Sequence, residues 1–155
     1  HSMGIFVLEA EQYHIEFSVE YRNNQKDYFV ELTMTIETGT SPIKLASVAT
    51  IMLPFEFVKL TQYFKTYATQ STVGTLEECE PFFPLQLSFY CQLLGGEVWQ
   101  CDPLNSKDLC SEATLRFMLR NMTNDGQSSG YVGAEGRIGL FQIRSLFAFL
   151  DRQSV

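Results

Sequence analysis

YFVELTMTIET, residues 28–38, decides how the chain is read. Val30, Leu32, Met34 and Ile36 alternate with Glu31, Thr33, Thr35 and Glu37, the period of a strand with one buried and one solvated face. Residues 13–21 alternate in the same way, with Tyr13, Ile15, Phe17, Val19 and Tyr21 on one side and His14, Glu16, Ser18 and Glu20 on the other. The polar stretch RNNQKD (22–27) between them is a turn, so the two strands pair as antiparallel neighbours. Residues 5–9 add a short apolar strand, GTSP (39–42) a turn, and residues 44–52 a returning strand.

The period then changes. Pro54 suits the first turn of a helix over 55–69, whose stripe is Phe57, Leu60, Phe64 and Tyr67. Ile143, Leu146 and Leu150 repeat the spacing of Phe57, Leu60 and Phe64 86 positions later, in a closing helix over 140–153. Between the helices, Leu85, Leu87, Phe89, Cys91 and Leu93 form an inward strand face. Ala113, Leu115, Phe117 and Leu119 form another, with Thr114, Arg116 and Arg120 outward. Gly95-Gly96 is a turn or bulge, residues 97–100 a short strand, 131–138 a glycine-containing edge strand, and 70–84, 101–110 and 123–130 are loops, the last the most flexible. The expectation is an α+β fold: a mostly antiparallel sheet of about six to eight strands with two helices on one face, built from two ββα-like halves.

At 155 residues the chain should form one domain and bury roughly 70% of its unfolded surface without needing a staple. His1-Ser2-Met3 reads as an expression remnant, leaving a single domain over 4–155. No signal peptide or membrane helix is expected. The net charge of −7 disfavours nucleic acid, which needs cations against its phosphates, and anionic membrane surfaces. It favours a soluble, cytoplasmic protein with a basic protein partner.

Cys79, Cys91, Cys101 and Cys110 contain no CxxC pair, whereas zinc ligands usually stand about two to four residues apart. Cys91, on an apolar strand face, should be a buried thiol. A reduced intracellular chain is expected, with a Cys101–Cys110 cross-link in a secreted chain as the competing reading. Asn121-Met122-Thr123 is a formal glycosylation sequon that reads as chance.

No motif carries catalysis. His14 sits on a polar strand face without a nucleophile-elbow GxSxG anywhere, and the pairs Glu16/Glu20 and Glu31/Glu37 read as solvated acids. The glycines at 130, 133, 136 and 139 match neither a dinucleotide nor a Walker loop. No catalytic residue, metal ligand or cofactor is therefore expected. The residues that fit partner binding are the acidic cluster Glu77, Glu78 and Glu80 and, further on, Trp99 with Asp102, since tryptophan anchors interfaces.

Strands ahead of a helix, a second strand set, and a closing helix after YVGAEGRIGLFQIRSLFAFL (131–150) resemble small bacterial immunity proteins of the sheet-plus-two-helix kind. The resemblance implies a non-catalytic acidic inhibitor that binds and neutralises a protein partner in the cytoplasm. The competing expectation is a small-ligand or lipid-like binder with an aromatic-lined cavity between sheet and helices.

Overall fold

The computed structural model describes residues 3–122 and 128–155, the side chains of 122, 128 and 129 excepted. Five antiparallel strands form the first sheet: β1 (Gly4–Glu9), β2 (Tyr13–Arg22), β3 (Asp27–Ile36), β4 (Ile43–Lys44) and β5 (Val48–Met52). Their order is β1-β2-β3-β4, with β5 also on β3. Helices α1 (Pro54–Tyr63) and α2 (Lys65–Ala68) follow. The second sheet is β6 (Gly74–Glu78), β7 (Phe89–Asp102), β8 (Asn105–Met122) and β9 (Ser128–Ile138), in that order and antiparallel. Helix α3 (Leu140–Gln153) closes the chain. The fold is α+β with antiparallel strands, as the alternation predicts, but the strands divide between two sheets, each followed by helix.

The alternation is carried through into packing. Ile15, Phe17, Val30, Leu32 and Met34 of the first sheet and Cys91, Leu93, Leu115, Phe117 and Leu119 of the second are all buried in one core. The sheets meet where Phe17 packs edge-on against Phe117, with ring centroids 5.7 Å apart. The buried Tyr13 hydroxyl donates to the Leu115 carbonyl at 2.6 Å, crossing from one sheet to the other. Ile143, Leu146 and Leu150 bury the stripe of α3. Phe149 stacks on Phe6 of β1, and the Ser111 hydroxyl accepts the Leu140 N–H at the helix start. Arg144 donates to the carbonyls of Ala68 and Gln70, tying α3 to the end of α2.

Several local expectations need correction. Residues 44–52 are two strands, β4 and β5, and the 55–69 helix breaks at Phe64, whose N–H donates to the Thr61 carbonyl three residues back. Part of the 70–84 loop is strand β6, held on β7 with Glu78 opposite Leu94. The loop expected at 101–110 is instead the end of β7, a hairpin, and the start of β8, crossed by a Cys101–Cys110 disulfide with Cα atoms 5.2 Å apart. Leu85 and Leu87 are exposed, not inward: Leu87 takes a left-handed backbone (φ 55°) and its N–H donates back to Pro84, so the strand alternation begins only at Phe89. Gly95-Gly96 is indeed a bulge, where the β7–β8 register shifts between Leu93 and Gly96; a Cβ on Gly96 would stand 2.1 Å from the Glu112 carbonyl oxygen. Gly130, Gly133 and Gly136 lie along edge strand β9, and Gly139 is the N-cap residue of α3. Of the stretch expected to be flexible, residues 123–127 lie outside the described residues, as does Thr123 of the sequon. Among the described residues no helix is long and apolar enough to cross a membrane.

Candidate interaction surface

The segment FFPLQL (82–87) is apolar, yet it runs over the surface. Its backbone is held at three points. The buried Glu56 carboxylate, in the first turn of α1, accepts the Leu85 N–H. The Gln86 side-chain oxygen accepts the Ile51 N–H at 2.8 Å and the Thr50 hydroxyl at 3.3 Å. The Tyr131 hydroxyl donates to the Leu87 carbonyl at 2.9 Å. Beside it, Pro54 starts α1 directly after the extended Leu53, which turns Leu53, Phe55 and Val58 outward while Phe57 and Leu60 enter the core. Leu53, Phe55, Val58, Phe83, Leu85 and Leu87 are each 42 to 69% exposed. These six side chains, on two segments joined by the Glu56–Leu85 bond, are the apolar ridge of α1 and the loop.

The ridge continues onto the outer face of the second sheet. Phe83 stacks on Tyr90 with centroids 4.9 Å apart, and Tyr90 meets Tyr131 edge-on at 5.1 Å. Arg116 and Arg120 stand on the same outward face of β8, opposite Glu135 and Tyr131 of β9. Arg116 is paired with Glu135 at 2.7 Å. The outer face of the first sheet differs in character, carrying Glu16, Glu20 and Glu31 on adjacent strands.

The residues predicted to bind a partner do not form one patch. Glu77 and Glu78 lie on β6 and Glu80 just after it, all exposed. Trp99 is on β7, 41% exposed, and Asp102 is at the hairpin, where it accepts the Leu104 N–H. Gly74 pairs with Val98 and Glu78 with Leu94, so Trp99 stands past one end of β6 and the acidic cluster sits at the other. The acidic cluster leads straight into the ridge, and its backbone is fixed from below. Tyr67 donates its hydroxyl to the Glu77 carbonyl and Tyr63 to the Glu80 carbonyl. Burial, with Cys79 nearby, pushes the Tyr67 phenol up to about 12, and burial also raises Tyr63 well above the ordinary phenol. Both therefore remain hydrogen-bond donors at neutral pH.

Sequence reading missed the ridge itself. Phe55 and Val58 lie off the Phe57, Leu60, Phe64 stripe of their own helix, and FFPLQL places a proline inside an apolar run. Those two signals mark apolar residues that neither a helix stripe nor a strand face can bury.

Five surface depressions have volumes of about 220 to 390 Å³, and none of these five is lined by the buried rings of Phe17, Phe57, Phe64, Phe89 or Phe117. One of about 240 Å³ gathers His14 with Glu9, Glu16, Thr33, Thr35 and Lys44 on the outer face of the first sheet. Among the described residues no group of three or more His, Cys, Asp and Glu side chains could hold a metal ion. Cys91 is fully buried, and burial raises its thiol far above the ordinary value.

No family model and no curated protein matches the chain. Among solved structures, the chain is similar to the crystal structure of WHY1 from Arabidopsis thaliana, with a TM-score of 0.42 and 10% identity over 98% of this chain and 83% of that one. The exclusion of nucleic acid does not stand. The exclusion rested on net charge, and net charge does not describe a local face on which Arg116 and Arg120 stand beside Tyr90 and Tyr131. At this TM-score and identity the likeness assigns no partner in its place.

Proposed function

We propose that the protein is a non-catalytic interaction module of the acidic inhibitor kind, which binds and neutralises a protein partner through the ridge of Leu53, Phe55, Val58, Phe83, Leu85 and Leu87. The observation that carries this reading is the gathering of six exposed apolar side chains on a backbone pinned by Glu56, Gln86 and Tyr131. Their combined exposed area is on the order of 500 Å², near the upper end for the largest apolar patch of a monomer. With Tyr90 and Tyr131 beside it the surface approaches the ~800 Å² per partner of a standard interface. A pinned backbone also lowers the ordering cost of binding.

The surroundings favour a protein of another kind over the alternatives. Glu78 and Glu80 next to the ridge, and a net charge of −7, oppose an anionic lipid surface and a like-charged second copy. For the compartment, the cytoplasmic location expected from the sequence stands against the Cys101–Cys110 bond, which fits an oxidising one. Mass measurement of the protein from its source after thiol alkylation distinguishes the two.

The test of the binding reading is hydrogen exchange on the protein with its purified partner. Protection confined to 53–58 and 83–87 supports it. Protection elsewhere, with the ridge exchanging as in the free protein, contradicts it.

A further inference from the structure

Arg120 is the arginine whose surroundings the fold leaves unfinished. Arg22 is paired with Asp27, Arg116 with Glu135, and Arg137 with Glu11 and Glu112, while Arg144 donates to two carbonyls. The Arg120 Nε is buried and has no hydrogen-bond partner among the described residues. A buried N–H without an acceptor is a standing cost, and it is rare enough in folded proteins to need a reason.

The reason lies in the adjoining depression. Arg120, Ser88, Ser47, Val48 and Ala49 line a depression of about 300 Å³ between the start of β5 in one sheet and the start of β7 and the end of β8 in the other. No carboxylate is among these lining residues. The backbone is fixed around it, since the Arg120 N–H donates to the Ser88 carbonyl at 2.9 Å and Tyr131 stands opposite Arg120 across the strand pair. Half-buried Val48 and exposed Ala49 line its other side. A guanidinium offers a planar fork of donors; the Ser88 hydroxyl adds a donor outside that plane, as does Ser47 while it accepts from the Thr33 hydroxyl. A planar carboxylate uses the fork alone; a tetrahedral oxyanion presents acceptors in three dimensions and can use all of them.

We propose that this depression binds a small tetrahedral oxyanion, phosphate or a phosphate monoester, held by Arg120 with Ser88 and Ser47. The site adjoins the end of the ridge at Leu87 but uses none of its apolar side chains, and its test does not depend on any protein partner.

The experiment titrates the intact protein with inorganic phosphate, and in parallel with phenyl phosphate, against chloride at constant ionic strength. Binding is read by phosphorus NMR line broadening and by the rise in Tm. Saturable binding is expected to both, with tighter phenyl phosphate binding marking a monoester and equal binding marking the free ion. Arg120→Gln should weaken it about tenfold or more, as loss of charge-assisted bonds does, Arg120→Lys should weaken it less, and Arg137→Gln should leave it unchanged. Ser88→Ala gives an independent reading if Arg120→Gln does not fold, and should also weaken binding. Absence of saturable binding, or equal affinity in wild type, Arg120→Gln and Ser88→Ala, overturns the proposal.

Discussion

The Glu56 carboxylate, buried in the first turn of α1, accepts the backbone N–H of Leu85, 29 residues further along the chain. This one bond joins the two pieces of the apolar ridge. It also places a negative charge at the N-terminal end of α1, where the helix dipole favours it. Glu56→Ala should lower stability by about 1–3 kcal/mol in urea unfolding, because it leaves a donor unpaired, and should speed amide exchange at Leu85. Glu56→Gln, which keeps an acceptor, should cost less. Equal stability of Glu56→Ala and wild type would remove the bond from the account.

The exposed apolar side chains of the ridge are separable from the fold. Phe55→Ser and Leu85→Ser should each change stability by no more than about 0.5 kcal/mol, since neither side chain contributes to the core. Phe57→Ser, two residues from Phe55 but fully buried and stacked on Tyr28 at 4.0 Å, should cost about 3–5 kcal/mol. Thermal and urea unfolding of the three variants check the contrast.

The acidic cluster can be separated from the ridge by kinetics. Reversing Glu77, Glu78 and Glu80 to lysine should leave Tm nearly unchanged, because all three side chains are exposed and their ties to the fold run through the backbone. If they border the interface, the association rate should change at low salt and converge on wild type at high salt.

The pH dependence has two arms. The Arg22 guanidinium, bonded to Asp27 at 2.7 Å and 2.8 Å across the β2–β3 hairpin, holds the Asp27 carboxyl below the usual range. A depressed folded pKa contributes stability above the unfolded value of about 3.9, lost as pH falls through the folded one. Asp27→Asn should therefore flatten the acid limb of the stability curve. Burial raises Tyr67 to about 12, so its contribution is intact below the unfolded phenol value of about 10 and is lost as pH rises through 12. Tyr67→Phe should flatten the alkaline limb, at the cost of its bonds to Glu77 and Gly95.

Period-two alternation made the core legible. The inward residues of β2, β3 and β8 and the stripes of both long helices are where the sequence pattern places them, because burial on one face leaves its mark on every second or every third to fourth residue. What the pattern could not carry was pairing. Whether Phe17 and Phe117 share one sheet or face each other across two depends on contacts 100 residues apart. Strand β6 was hidden because GTLEE gains its strand geometry from β7 and from the Tyr67 hydroxyl, not from its own alternation. At the candidate site, Glu77, Glu78, Glu80 and Trp99 were recognisable as surface residues, but a left-handed backbone at Leu87 put Leu85 and Leu87 outside, and residue type alone does not foretell that turn.

The most direct test of the central claim is the affinity of the purified protein partner for wild type and for the Phe55→Ser/Leu85→Ser double variant, measured by titration calorimetry. The expected result is a loss of affinity of at least about a hundredfold, some 2.7 kcal/mol, with the Tm of the free protein unchanged. Equal affinity for both proteins would contradict it and move the interface off the ridge.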